Sequence, residues 1–152
     1  MELPEALHAT SDLSEAIGGA GVIVVAVPSH GLRDVISSAA RHIPPDALVV
    51  SLSKGVERGT QLRMTQVCAE VLAVPSERIG VLTGPNLAKE ILAGQPAASV
   101  VAIDDADIAA ELQRIFSRPS LRVYTNDDVV GDRKSTRLNS SHMSESRMPS
   151  SA

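Results

Sequence analysis

At 152 residues and 15.9 kDa the chain has the length of one domain, enough to bury a real core. Its 43% hydrophobic and 21% charged residues are those of a globular protein, and a net charge of −4 offers no basic field for nucleic acid or an anionic membrane. Only Phe116 and Tyr124 are aromatic, which argues against base-stacking modules; the single Cys68 excludes a disulfide framework and suits a reducing cytoplasm; and no apolar run approaches the ~20 residues of a membrane span.

Asp12-Leu13-Ser14-Glu15 reads as a capped helix start, with Leu13, Ala16, Ile17 and Ala20 on one face and Gly18-Gly19 as the stop. Val22 to Val27 is a continuous apolar, largely β-branched run, expected as a strand buried on both faces of a parallel sheet. Leu32, Val35, Ile36, Ala39, Ala40 and Ile43 line a helix, and after Pro44-Pro45-Asp46 a second buried strand runs from Ala47 to Leu52. Met64, Val67, Cys68, Val71 and Leu72 form a helical stripe that makes Cys68 an inert core thiol. A third strand spans Arg78 to Thr83, and Ala88 to Leu92 is a short helix closed by Gly94. A fourth strand spans Ala98 to Ile103. Asp104 or Asp105 caps a helix with Ile108, Leu112, Ile115 and Phe116 inward, and Leu121 to Tyr124 is a last strand. Strands alternating with helices predict an α/β fold, a doubly wound parallel sheet covered on both faces.

Residues 132–152 break this pattern. Seven of these 21 residues are Ser, and no helical or strand period runs through them. Such a composition predicts a disordered tail. DRKSTRLNSSH followed by MSESRMPSSA also resembles a translated sequencing adapter, which makes Gly131 the last biological residue. The expected division is 1–131 as the folded domain and 132–152 as the tail.

Ligands of parallel α/β sheets sit beyond the carboxyl ends of the strands. Three segments stand there: Pro28-Ser29-His30, Ser53-Lys54-Gly55 and Gly84-Pro85-Asn86. Lys54 can neutralise a phosphate while Gly55 lets it approach the backbone; a solvated loop lysine is the alternative. Gly84-Pro85-Asn86 precedes a helix whose first amides could take an oxyanion, or is a turn with Asn86 as a plain N-cap. Pro28 could wall a cofactor, or merely end a strand. His8, His30 and His42 have no metal-ligand spacing.

VVAVPSHGLR (Val24 to Arg33), VVSLSKGVE (Val49 to Glu57), VLTGPNLAKEI (Val81 to Ile91) and VYTNDDVVG (Val123 to Gly131) occur in this order. Together they resemble the bacterial NAD(P)-dependent glycerol-3-phosphate dehydrogenases. The resemblance implies part of a Rossmann-type cofactor domain using NAD or NADP, followed in the family by a helical substrate domain. It implies interconversion of dihydroxyacetone phosphate and sn-glycerol 3-phosphate, supplying phospholipid synthesis in the cytoplasm, with a small phosphorylated substrate, no nucleic-acid or membrane partner, and room for a homodimer. By the same resemblance Lys54 matches a lysine touching cofactor and substrate, Gly84 and Asn86 match substrate contacts, and Pro28 and Ala88 match cofactor contacts.

The sequence departs from the family pattern in having no GxGxxG turn. It corresponds to the family from the third strand onward, and the family's proton-donating lysine falls beyond Gly131. No catalytic residue and no metal ligand is therefore assigned, and the fragment is expected to be inactive. Two alternatives are a fragment of a ketopantoate or 6-phosphogluconate type reductase, in which SLSKG and GPN would not be expected together, and a non-enzymatic receiver or flavodoxin-like module, which needs an acidic pocket or phosphate loop.

Overall fold

A computed structural model describes residues 6–129. The expected tail 132–152 and the boundary at Gly131 lie outside the described residues. The described residues fall into two compact units, 6–78 and 79–129.

In the first unit, α1 (Leu13–Ile17) starts where expected: the Asp12 carboxylate accepts from the Ser14 and Glu15 amides at 2.8 and 3.3 Å. None of its residues is buried. β1 (Val22–Val25) and β2 (Leu48–Ser51) pair in parallel, Val22 opposite Leu48 through Val25 opposite Ser51. The expectation of two-sided burial holds for Val49, Val50 and Ser51 of β2 but not for β1. Ile23 and Val25 point into the core, while Val24 on the opposite face is 43% exposed. An apolar run permits burial on both faces but does not supply the covering layer. α2 (Leu32–Ala39) follows a single 3-10 turn at Ser29–Gly31 and buries Leu32, Ile36 and Ala39, its i, i+4, i+7 stripe. α3 (Met64–Leu72) packs on α2 and buries Met64, Val67 and Cys68, so Cys68 is the core thiol the periodicity predicted.

In the second unit β3 (Ile79–Thr83), α4 (Ala88–Leu92), β4 (Ala97–Ala102), α5 (Ala106–Phe116) and β5 (Leu121–Asn126) alternate. β4 and β5 are parallel, with Ala97 opposite Leu121 and Ala102 opposite Asn126. β3 and β4 are antiparallel, with Val81 opposite Ala102 and Thr83 opposite Val100. This corrects the expectation of an all-parallel sheet, and helix length accounts for it. A parallel crossover must carry the chain back along the strand it has left. The five residues of α4 rise only ~7.5 Å, against ~16 Å for a five-residue strand. The eleven residues of α5 rise ~16 Å and return the chain to run β5 alongside β4.

Of the two cap candidates for α5, Asp105 holds the position. Its carboxylate accepts from the Asp107 and Ile108 amides at 2.9 and 3.0 Å. Ala109 and Leu112 are the buried residues of α5, while Ile108, Ile115 and Phe116 are half-buried. Asp105→Ala lowers stability by about 1 kcal/mol while Asp104→Ala is close to neutral, as read from urea unfolding; equal losses would remove the cap assignment.

Candidate functional site

Two of the expected loops meet in the first unit. The Leu52 amide donates to the Val25 carbonyl at 2.9 Å, one step beyond the paired strands. Ser53 is buried, and its hydroxyl donates to the Val27 carbonyl at 2.5 Å while its amide donates to Ser51 Oγ at 3.2 Å. These bonds fasten the exit of β2 onto the exit of β1. Lys54 comes next and is exposed. Gly55 has φ +101°, which L side chains rarely adopt, and a Cβ there would lie 3.8 Å from Ser29 Oγ. The Pro28-Ser29-His30 turn therefore borders the Lys54-Gly55 turn, with Pro28 and His30 exposed. Pro28 and Lys54 share the carboxyl rim of two parallel strands, where α/β sheets take their ligands.

The loop after Gly55 closes on itself. Val56 bridges Arg63 in antiparallel fashion, the Glu57 amide donates to the Leu62 carbonyl at 2.8 Å, and the Gln61 amide donates to the Glu57 carbonyl at 3.0 Å. Arg33 at the start of α2 donates from Nε and Nη2 to the two carboxylate oxygens of Glu57, at 2.7 and 2.9 Å. Thr60 Oγ1 donates to the same carboxylate at 2.5 Å, and Arg33 Nη1 reaches Glu70 of α3 at 2.8 Å. The Arg33 fork, then Thr60, hold the Glu57 carboxyl at about 2, below its ordinary 4.5, and Arg33 is pushed above its ordinary range by Glu57 and Glu70.

The sign of the acid response follows. A carboxyl whose folded value is depressed contributes stability that is complete above about 4.5 and lost as pH falls towards about 2. The 54–62 loop therefore opens across that interval, seen as faster amide exchange relative to α2. Titration of Glu57 near 4.5, followed through its carboxyl carbon by NMR, would contradict this.

The third expected loop lies in the second unit. Asn86 does not cap α4: Leu87 holds that position and makes no side-chain cap. The Asn86 side chain turns away, and Nδ2 donates to Ser99 Oγ of β4 at 2.6 Å. This removes the N-cap alternative. Gly84 sits in a tight place. A Cβ on it would meet Asn86 Nδ2 at 2.6 Å, the Ala98 carbonyl oxygen at 2.7 Å and Ser99 Oγ at 3.0 Å. Gly84, half-buried, and Asn86 are thus pinned on β4, and Ala88 is exposed at the first position of α4. Among the described residues no group of three His, Cys, Asp or Glu is placed to hold a metal. No described helix is long and apolar enough to cross a membrane.

Sequence reasoning named Ser53 only as part of its segment, with no role, and missed Ser99. Each had one signal: a hydroxyl that interrupts an apolar strand or directly follows one.

Residues 1–109 match the family model described as NAD-dependent glycerol-3-phosphate dehydrogenase N-terminus. The chain belongs to this family. It is 51% identical over 131 residues to the glycerol-3-phosphate dehydrogenase [NAD(P)+] of Corynebacterium jeikeium, covering 86% of this chain and 40% of that protein. It is 50% identical over 125 residues to the enzyme of the same name from Thermobifida fusca, covering 82% of this chain and 37% of that one. The crystal structure of glycerol-3-phosphate dehydrogenase from Coxiella burnetii superposes with a TM-score of 0.77 at 30% identity, over 84% of this chain and 38% of that one. The Rossmann-like α/β class of the glycerol-3-phosphate dehydrogenase family is thus the class of this chain, and it spans about 40% of the length of such relatives.

Proposed function

We propose that residues 1–131 are part of the cofactor domain of a cytoplasmic glycerol-3-phosphate dehydrogenase that uses NAD or NADP. The whole enzyme interconverts dihydroxyacetone phosphate and sn-glycerol 3-phosphate and supplies phospholipid synthesis. The observation that carries this is the 51% identity to a dehydrogenase of that name over 131 residues. In this reading Lys54 faces both substrate and cofactor, Gly84 and Asn86 face the substrate, and Pro28 and Ala88 face the cofactor. The Lys54-Gly55 turn suits a phosphate: Lys54 is exposed just after β2, and no side chain at residue 55 blocks the backbone. The bound nicotinamide supplies the hydride; this chain's residues bind and orient around it. The partner is a small phosphorylated substrate, with neither nucleic acid nor membrane, and the complete enzyme has room to form a homodimer. Residues 132–152 are a translated adapter with no role.

The test is a hybrid in which this chain's matched stretch replaces its counterpart in the Corynebacterium jeikeium enzyme. The hybrid oxidises NADH or NADPH in the presence of dihydroxyacetone phosphate. A soluble, folded hybrid without that activity overturns the reading. The 152-residue chain alone shows no measurable turnover in the same assay, because it carries no GxGxxG turn to hold a pyrophosphate. Turnover by the purified chain would refute that.

A further inference from the structure

The Lys54 turn follows Ser53, whose hydroxyl bonds the Val27 carbonyl, and it continues into a loop that closes on itself between Val56 and Arg63. Side-chain contacts to a neighbouring element narrow the arrangements that an exposed loop of this kind samples. The Glu57 carboxylate, three residues after Lys54, is where the contacts converge. It takes the Arg33 fork and the Thr60 hydroxyl, and its side chain is 16% exposed against 34% for Arg33 and 57% for Glu70.

We propose that Arg33 and Glu57 form a positioning pair, a two-point clamp between the start of α2 and the loop after β2 that sets where the Lys54 ammonium stands. This rests on the reading of Lys54 as the phosphate-facing cation. A planar guanidinium with both Nε and Nη2 on one carboxylate fixes orientation as well as distance, which a single point charge cannot. The third Arg33 bond, to the more exposed Glu70, steadies the guanidinium on α3 and is dispensable for the clamp.

The experiment uses the 152-residue chain and three variants: Glu57→Gln, which keeps the shape, Arg33→Lys, which keeps the charge but not the fork, and Glu70→Gln as the control. Two quantities are read in each. One is amide exchange over residues 54–62 against the α3 amides 67–72. The other is the acylation rate of the Lys54 amine relative to Lys89, with and without dihydroxyacetone phosphate. Glu57→Gln and Arg33→Lys speed loop exchange by roughly threefold to tenfold with α3 unchanged, and both shift the Lys54 to Lys89 ratio in the absence of ligand. Glu70→Gln leaves both readouts within about twofold of the native chain. Native loop exchange in Glu57→Gln, or faster exchange with an unmoved Lys54 ratio, overturns the clamp. So does a global rise that includes α3 in both clamp variants, which would make the pair a general fold contact. Dihydroxyacetone phosphate slows Lys54 acylation in the native chain and less so in the clamp variants. Absence of that slowing in the native chain removes the substrate reading of Lys54, while the ligand-free readouts still decide the clamp.

Discussion

Lys54→Ala, made in the Corynebacterium hybrid, lowers kcat/KM for dihydroxyacetone phosphate about 10- to 100-fold, the loss expected from one charge-assisted contact of about 1.5–3 kcal/mol. The Ser53 anchor and the left-handed Gly55 flank Lys54 where β2 ends, and the Lys54-Gly55 turn borders the Pro28-Ser29 turn. On the proposed reading, removing the cation leaves the substrate phosphate without its counter-charge. Lys54→Arg recovers only part of the loss, because a broad fork does not sit where a compact ammonium does. Unchanged kinetics for Lys54→Ala would reduce Lys54 to the solvated loop lysine that the sequence also allows.

The second large effect falls on Gly84. Gly84→Ala destabilises the chain by about 1–3 kcal/mol, the usual cost of forcing a methyl group into filled space. Its Cβ would come within 2.7 Å of the Ala98 carbonyl oxygen, and a backbone atom cannot swing aside. It would also press at 2.6 Å on Asn86 Nδ2, so the Asn86–Ser99 bond is the first contact to give. Gly80→Ala is the control, since its nearest neighbour would be 3.4 Å away, and its loss is smaller. Denaturant unfolding of the two variants compares them directly. Equal stability of Gly84→Ala and the parent would mean that the turn is looser than its contacts indicate. In the hybrid, the same variant costs activity beyond what instability explains, because the displaced Asn86 is a proposed substrate contact.

Much of this was legible in one dimension. Element types followed from periodicity wherever local chemistry decided them. The α3 stripe from Met64 to Leu72 and the α4 segment from Ala88 to Leu92 fall where the spacing put them. β-branched runs gave strands, because side-chain alternation and propensity act over a few neighbours. The family was also legible, since SLSKG and GPNLAKE are contiguous segments that read as words without any fold.

The rest depended on partners distant in sequence. Arg33 and Glu57 are 24 residues apart, and neither carries a local sign of the other. Asn86 before a helix has the look of an N-cap, and only Ser99, thirteen residues on, turns its amide elsewhere. Strand direction escaped for a related reason. An apolar strand looks alike in either orientation, and the five-residue length of α4 had to be set against the strand it leaves. The exposure of Val24 is likewise invisible in a run of Val and Ile, because burial needs a second layer and belongs to the assembly of elements. Sequence alone therefore determined the elements, the α/β class and the residues that carry the family signature, each a property of neighbouring residues. Tertiary structure decided the pairing direction, the covered faces and the contacts that hold Lys54 and Asn86, because those energies come from groups that only folding brings together.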